Sequence, residues 1–193
     1  LMRLREICCD PRLVADNWTG SSAKLEACLE LVTEAVAGGH RILLFSQFTS
    51  MLELLAKRLD EAGVSHFTLQ GSTPKPVRAE QVRRFNQGEA DVFLISLRAG
   101  GTGLNLTAAD IVIHYDPWWN LAAQNQATDR AYRIGQRNPV QVYRLIAQDT
   151  IEEKIVELQQ AKQSLADTVT GGADGAILSM NPEQLLQLLG EEA

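Results

Sequence analysis

Short apolar runs alternate with amphipathic stretches along most of this 193-residue chain, and this alternation constrains its fold more than any other feature. The runs have the length of buried strands, and they occupy residues 41–46, 64–69, 91–96, 111–115 and 140–146. Apolar residues at helical spacing fill the intervals, as Leu25, Cys28, Leu29, Val32 and Val36 do before the first strand. Strands that alternate with helices predict an α/β fold with a mainly parallel sheet covered on both faces.

Cap and turn residues set the expected domain boundaries. Ser21 and Ser22 can cap the first helix of the sheet domain, and Asp149 or Thr150 can start a long helix after the last strand. Glycines beyond residue 170 then form a flexible break. We therefore expect a lead-in segment, an α/β domain, a helical region, and a flexible tail with a short amphipathic helix, at residues 1–20, 21–148, 149–170 and 171–193.

Charge and cysteine content exclude several kinds of function. The net charge of −6 argues against nucleic-acid binding through bulk electrostatics, so any such binding must depend on local sites. The three cysteines and three isolated histidines lack metal-ligand spacing, and the cysteines fit a reducing intracellular setting. No apolar run approaches the ~20 residues that a membrane helix needs, and no signal peptide is visible.

Ligands of such sheets bind where loops leave the carboxyl ends of the strands. The loops with unusual content here are 46–49, 96–105 and 116–120. In the second of them, the glycines between Gly100 and Gly103 let the backbone approach a ligand and direct N–H groups at phosphate oxygens. A simple tight turn is the alternative, and the segment is not a Walker loop because no Gly-Lys-Ser/Thr ends it.

The stretch from Gln126 to Gln136 reads as a helix with two arginines on one face. At 100° per residue, that face carries Gln126, Asp129, Arg130 and Arg133, while the alanines at 127 and 131 lie on the other side. Two guanidinium groups at this spacing repel each other, so an anion should lie opposite them. An ordinary solvated face, with Asp129 paired to Arg133, is the other interpretation.

Taken in order, these segments closely resemble motifs IV, IVa, V, Va and VI of the Swi/Snf family of helicase-like DNA translocases. The matching segments are Phe45–Phe48, Leu69–Thr73 with Arg78, Ser96–Asn105, His114–Asn120 and Gln126–Gln136. The stretch Leu4–Arg12 is also similar to the family's segment just before its second lobe. Departures from the common pattern are Arg98 for Lys, Gln70 for Asp, and Leu121 and Gln124 for Pro and Glu. The short connections between motifs favour a compact, prokaryotic member.

The resemblance implies the C-terminal, RecA-like lobe of such a motor: a three-layer α/β domain followed by C-terminal brace helices. ATP and Mg2+ would be held mainly by a first lobe, whose Walker A lysine and Asp-Glu-x-His motif are not in this sequence. The residues implied as arginine fingers are Arg130 and Arg133. The implied ATP-binding residues are Gly103, Asn105, Gln126, Arg130 and Arg133. The isolated chain is expected to hydrolyse no ATP, and its brace helices are expected to pack poorly or to be displaced without the first lobe.

Duplex DNA is the partner implied for the neighbouring loops. The implied contacts to its backbone are Ser46, Gln47, Arg78, Ser96, Arg98, Gly100, Gly101, Thr102 and Trp118. We expect at least one of Trp118 and Trp119 to be buried and the other to lie near DNA. Further implied partners are the N-terminal RecA-like lobe of the same full-length protein and a DNA-bound protein target, whose complexes with DNA the motor would remodel. The chain itself is expected to be monomeric, in the cytoplasm or nucleoid of a prokaryote or the nucleus of a eukaryote.

Two other interpretations stay open. The chain could be a non-catalytic DNA- or protein-binding module that keeps the fold of the lobe, in which case it alone would bind duplex DNA tightly and in a salt-sensitive manner. The track could also be RNA, because proteins that contact the backbone distinguish the two duplexes through groove shape and the 2′-hydroxyl.

Overall fold

A computed structural model describes residues 1–15, 17–100, 104–118, 120–131 and 139–170, with the backbone alone for residues 98, 100, 121–123 and 164–170. The strands of the described part are β1 (Ile42–Ser46), β2 (His66–Leu69), β3 (Val92–Ser96), β4 (Ile111–His114) and β5 (Gln141–Arg144). The α-helices are α1 (Met2–Cys9), α2 (Ala23–Ala37), α3 (Thr49–Glu61), α4 (Lys75–Asn86), α5 (Leu97–Gly100), α6 (Leu121–Thr128) and α7 (Ile151–Thr170).

The strands form one parallel sheet in the order β2-β3-β1-β4-β5, which confirms the predicted α/β class. Ser46 at the end of β1 pairs with Ser96 at the end of β3. Phe45 pairs with His114 at the end of β4. The carboxyl ends of the three central strands are therefore aligned, and the loops that follow them begin side by side.

Apolar side chains cover both faces of the sheet, because successive residues of a strand point to opposite sides. Leu44 and Ile113 belong to a core cluster with residues of α2 and α3. Phe45 and Val112 belong to the cluster on the other face, which includes Phe85 of α4. The resulting three layers are those of a RecA-like lobe.

The predicted starts of two helices are confirmed. The hydroxyl of Ser22 accepts a hydrogen bond from the N–H of Leu25 at 3.4 Å and so caps α2. Thr150 precedes α7, and its hydroxyl accepts from the N–H of Glu152 at 3.1 Å. Asp149, immediately before, has a positive φ of 56° that ends the preceding loop.

The prediction of one continuous helix from Gln126 was wrong. Helix α6 ends at Thr128, and the N–H groups of Arg130 and Ala131 bond to carbonyls three residues back, at 3.2 and 3.1 Å, in a turn. Arg130 is buried together with Ala127 and Ala131, whereas Gln126 and Asp129 are exposed. The expected common face of Gln126 and Arg130 is therefore not present, because tertiary packing at residue 130 overrides the helical pattern. Arg133, the other arginine of the predicted face, lies outside the described residues.

Two smaller expectations also change. Residues 97–100 form the short helix α5 directly after β3, where we expected a loop. The last strand is shorter than predicted and largely exposed, with Val142 37% exposed, because β5 lies at the edge of the sheet.

The chain divides into two compact units, Leu1–Ile155 and Val156–Ala193. Of the second unit, the structure describes the helical residues 156–170. The predicted tail helix lies outside the described residues. Within those residues, no helix is long and apolar enough to cross a membrane.

Candidate functional site

A cleft of about 270 Å³ lies at the carboxyl edge of the sheet, where the loops after β1, β3 and β4 meet. Three of the residues predicted to contact DNA line it: Gln47, Ser96 and Trp118. The rest of its wall comes from α1 and from the start of α3, through Met2, Glu6, Phe48, Thr49 and Ser50. The parallel register thus brings together side chains that are far apart in sequence.

The amino-terminal end of α3 opens into this cleft. The residue at its cap position is Phe48, and no side chain caps the helix. The first N–H groups of a helix have no partner within the helix and carry a partial positive charge, which favours an anion there. Beside them, the amide nitrogen of the Gln47 side chain is enclosed and has no hydrogen-bond partner among the described residues. The cleft therefore offers uncharged donors to an anion.

Ser46 lies beneath the cleft. Its side chain is buried; the hydroxyl donates to Asp116 at 2.5 Å and accepts from the N–H of Phe48 at 3.1 Å. Ser46 was expected to contact a phosphate directly, but in this arrangement its hydroxyl supports the residues that line the cleft. Ser46 and Gln47 were both predicted to contact DNA, but in the structure Gln47 lines the cleft and Ser46 lies beneath it.

Asp116 is a site residue that the sequence analysis missed. Its carboxylate is 1% exposed and receives the hydroxyl of Ser46 and the N–H of Gln47. Burial raises its pKa, while the Ser46 hydrogen bond and the charge of Lys24 act in the opposite direction. Its position immediately after a buried strand was the available signal, but no pattern in the sequence indicated the Ser46 contact, which spans 70 residues.

Arg5 of α1 closes this corner of the site. Its guanidinium is buried, donates to the carbonyl of Pro117 at 2.8 Å, and lies 5.9 Å from the centre of the Phe48 ring. Burial lowers the pKa of Arg5, and the charge of Asp116 counters that effect. The lead-in helix is thereby fixed against two of the loops that form the cleft.

The Trp118 loop is held by a residue that the sequence analysis treated only as a departure from the family pattern. Gln124 of α6 is buried, and its side-chain oxygen accepts from the N–H of Trp118 at 3.3 Å. Trp118 itself is half-buried, and Trp119 lies outside the described residues.

Of the other predicted DNA contacts, Arg78 is not among the residues that line this cleft. Arg78 lies half-buried on α4. Arg98 and Gly100 belong to α5, for which the backbone alone is described at these two positions, and Gly101 and Thr102 lie outside the described residues.

The predicted ATP-binding residues are only partly described. Asn105 and Gln126 are exposed, whereas Arg130 is 3% exposed. The carbonyl of Arg130 accepts from the N–H of Leu106 at 3.2 Å, so the segment after Asn105 is joined directly to the segment after α6. This contact brings two of the predicted nucleotide loops together, while Gly103 and Arg133 lie outside the described residues.

His114 fixes the end of α6 to the sheet. Its Nε2 lies 2.9 Å from the hydroxyl of Thr128, and its ring stacks on Phe45 with centroids 5.6 Å apart. Burial lowers the pKa of His114 to about 4, and the nearby Arg144 adds to the effect. The imidazole is therefore neutral at neutral pH, which suits a structural contact rather than charge stabilisation.

A metal site is not visible in the part of the chain that the structure describes. No group of His, Cys, Asp and Glu side chains there could hold a metal ion.

The fold is that of the C-terminal lobe of a helicase-like motor. Residues 23–135 match the family described as "Helicase conserved C-terminal domain", which covers more than half of the chain. The chain belongs to this family, and its motifs are those of a Swi/Snf-type lobe. The predicted family assignment is therefore confirmed.

Individual relatives agree with this assignment. An "Uncharacterized ATP-dependent helicase" of Mycoplasma pneumoniae is 41% identical over 97% of the chain. A "Chromatin-remodeling ATPase INO80" of Aspergillus terreus is 46% identical over 86% of the chain. The chain spans only 18% and 10% of the lengths of these two proteins. Among solved structures, the C-terminal part of the Fun30 ATPase domain matches 81% of the chain and 53% of its own, with a TM-score of 0.69 and 33% identity.

Proposed function

We propose that this chain is the second motor lobe of a DNA-dependent ATPase that translocates on duplex DNA and remodels protein-DNA complexes. The observation that carries the proposal is the cleft at the carboxyl edge of the sheet, where Gln47, Ser96 and Trp118 meet the start of α3. A phosphate of the DNA backbone is the ligand that this arrangement of donors suits best.

Uncharged donors also reconcile DNA binding with a net charge of −6. Backbone contacts through N–H groups, amides and hydroxyls position a protein on DNA without requiring a basic surface. Glu6 lines the same cleft and would repel a phosphate, so the Gln47 amide and the start of α3 must supply the attraction. Arg78, Arg98, Gly100, Gly101 and Thr102 would extend the contact along the strand.

On the nucleotide side, we propose that Arg130 and Arg133 act as arginine fingers toward ATP bound by a separate first lobe. Gly103, Asn105 and Gln126 would lie beside the nucleotide, and Mg2+ would be held by the first lobe. A guanidinium placed against the transferred phosphoryl group can contribute ~10³–10⁵ in rate. Because Arg130 is 3% exposed, its guanidinium must become accessible when the two lobes close.

The helical region 149–170 would then be the brace toward the first lobe, after the lead-in segment 1–20 and the lobe itself at 21–148. Relatives named as an ATP-dependent helicase and a chromatin-remodelling ATPase support this assignment for the whole protein.

An NMR titration of the 193-residue chain with a short duplex DNA tests the proposed cleft. We expect the amide signals of residues 47–50 to shift on addition of DNA, and Gln47→Ala to weaken the binding by about tenfold, the effect of one lost hydrogen bond to a charged group. Gln87→Ala, an exposed glutamine outside the cleft, is the matched control. Shifts confined to other surfaces would refute this site.

The same titration separates the alternatives. Tight, salt-sensitive binding of duplex DNA by this chain alone would favour an autonomous binding module over one half of a motor. Equal binding of duplex RNA would remove the preference for a DNA track.

A further inference from the structure

One buried carboxylate organises the residues that line the cleft. Asp116 Oδ1 accepts the hydroxyl of Ser46 at 2.5 Å, and its two oxygens lie 3.3 and 3.4 Å from the N–H of Gln47. The Ser46 hydroxyl in turn accepts from the N–H of Phe48 at 3.1 Å. Asp116 therefore fixes three consecutive residues, of which Gln47 and Phe48 line the cleft.

Two cations lie near the carboxyl group of Asp116, although burial is the larger effect and raises its pKa. Arg5 is buried, and the side chain of Lys24 is 8% exposed. The charge of Lys24 lowers the pKa of Asp116, and the charge of Asp116 raises the pKa of Arg5. Lys24 is also paired with Glu152, and Arg5 holds the carbonyl of Pro117. A carboxylate kept away from water among such partners has a fixed position, because each contact restrains it from a different side.

A second aspartate, Asp110, lies at the other end of β4 and can be compared with Asp116. Asp110 precedes β4 and accepts from the N–H of Arg41, just before β1, at 3.1 Å, and lies 2.9 Å from Nδ1 of His40. Asp110 and Asp116 thus tie β4 to β1 at opposite ends of the two strands. Among the described residues, the hydrogen bonds given for Asp110 join it to His40, Arg41 and Gln141, and these three residues are not among those that line the cleft. Asp110 therefore links the same two strands without holding the cleft.

We propose that Asp116 is a positioning residue for the nucleic-acid backbone: it holds the segment from Ser46 to Phe48 so that the Gln47 amide and the first N–H groups of α3 point into the cleft. This inference rests on the proposed function, since the cleft must bind a nucleic-acid backbone. Asp116 itself touches no nucleic acid.

Simple electrostatics and the positioning role of Asp116 predict opposite changes in DNA affinity when Asp116 loses its charge. Removing a negative charge from a protein that binds a polyanion leaves the binding unchanged or makes it tighter. Asp116→Asn should instead weaken the binding, because its new amide group replaces an acceptor with a donor facing the Gln47 N–H. Asp110→Asn makes the same chemical change away from the cleft and should not weaken it.

Binding of a fluorescein-labelled short duplex DNA to the 193-residue chain tests this. For Asp116→Asn we expect about tenfold weaker binding, with faster hydrogen exchange at the Gln47 and Phe48 N–H groups of the free chain, in line with one lost hydrogen bond. The slope of affinity against salt should stay unchanged, because no cation that contacts phosphate is removed. Ser46→Ala, which keeps Asp116 and removes its link to Phe48, should weaken binding in the same direction. It replaces Asp116→Asn if that variant does not fold.

The outcomes separate the two proposals. If the unchanged chain binds duplex DNA and both Asp116→Asn and Ser46→Ala bind as tightly or more tightly, the positioning role is overturned. If the unchanged chain shows no binding of duplex DNA, the DNA contact proposed for the cleft fails. The hydrogen-exchange measurement does not depend on DNA binding. If the Gln47 and Phe48 N–H groups exchange at the same rate in the variants as in the unchanged chain, Asp116 does not anchor this segment.

Discussion

The Lys24–Glu152 ion pair gives the most quantitative prediction about the stability of this lobe. Lys24 Nζ lies 2.7 and 2.6 Å from the two carboxylate oxygens of Glu152, and the side chains are 8% and 1% exposed. The pair joins the start of α2 to the first turn of α7. Lys24→Met would keep an unbranched side chain of similar length but leave the Glu152 carboxylate buried without its cation.

Removing one partner of a buried ion pair costs about 3–5 kcal/mol in stability. We expect the lower end, because the N–H of Ala147 still donates to Glu152 at 2.8 Å. In a chain of this size, about 3 kcal/mol corresponds to a fall in the melting temperature of ~6–12 °C, at ~2–4 °C for each kcal/mol. Urea unfolding followed by circular dichroism measures the free energy, and a thermal scan measures the melting temperature.

Two controls decide whether burial is the cause. Glu26→Gln breaks an exposed pair with Arg58 and should cost at most about 1 kcal/mol. Lys24→Met combined with Glu152→Gln should be more stable than the sum of the single changes, with a coupling energy of about 0.5–3 kcal/mol. If Lys24→Met costs no more than Glu26→Gln, the Lys24–Glu152 pair does not have the burial that the structure gives it.

Two further changes test other parts of the fold. The pKa of His114 is lowered to about 4, below the ~6.5 of an unfolded histidine, so its stabilising contribution is complete above about pH 6.5 and is lost as the pH falls toward 4. The difference amounts to about 3 kcal/mol; urea unfolding from pH 7 to pH 4 should show this loss in the unchanged chain and a flatter dependence in His114→Phe. Gly88 has a φ of +86°, a backbone conformation that strains any residue with a side chain, and an added Cβ would also displace the end of the Arg41 side chain. Gly88→Ala should therefore lower the free energy of unfolding by more than about 1 kcal/mol, whereas the same denaturation assay should show little change for an alanine at the open position Gly71.

The parallel sheet could be predicted from the sequence because its strands are continuous apolar runs between amphipathic helices. The Ser22 cap was likewise predictable, since capping depends on residues within one turn. The end of α6 could not be predicted in this way. Local periodicity extends past Thr128, but the burial of Arg130 and its bond to Leu106 depend on a loop more than twenty residues away.

Some residues of the candidate site could likewise be predicted from the sequence, and others could not. Gln47, Ser96 and Trp118 were chosen from family motifs, and the aligned strand ends bring them together. Asp116 was missed because its role depends on a contact with Ser46, 70 residues earlier in the chain. Arg5 was missed for a similar reason, since its partner Pro117 is 112 residues away. Neither pairing leaves a periodic pattern in the sequence.

The central claim, that this lobe completes an ATPase site by supplying arginine fingers, is tested most directly by ATP hydrolysis in the complete polypeptide that contains it. We predict that Arg130→Lys, which keeps the charge but loses the planar fork, lowers DNA-stimulated hydrolysis by about 10³-fold or more while duplex binding is retained. Arg83→Lys, an exposed arginine paired with Glu80, is the control. DNA-stimulated hydrolysis by Arg130→Lys at the rate of the unchanged protein would contradict the claim.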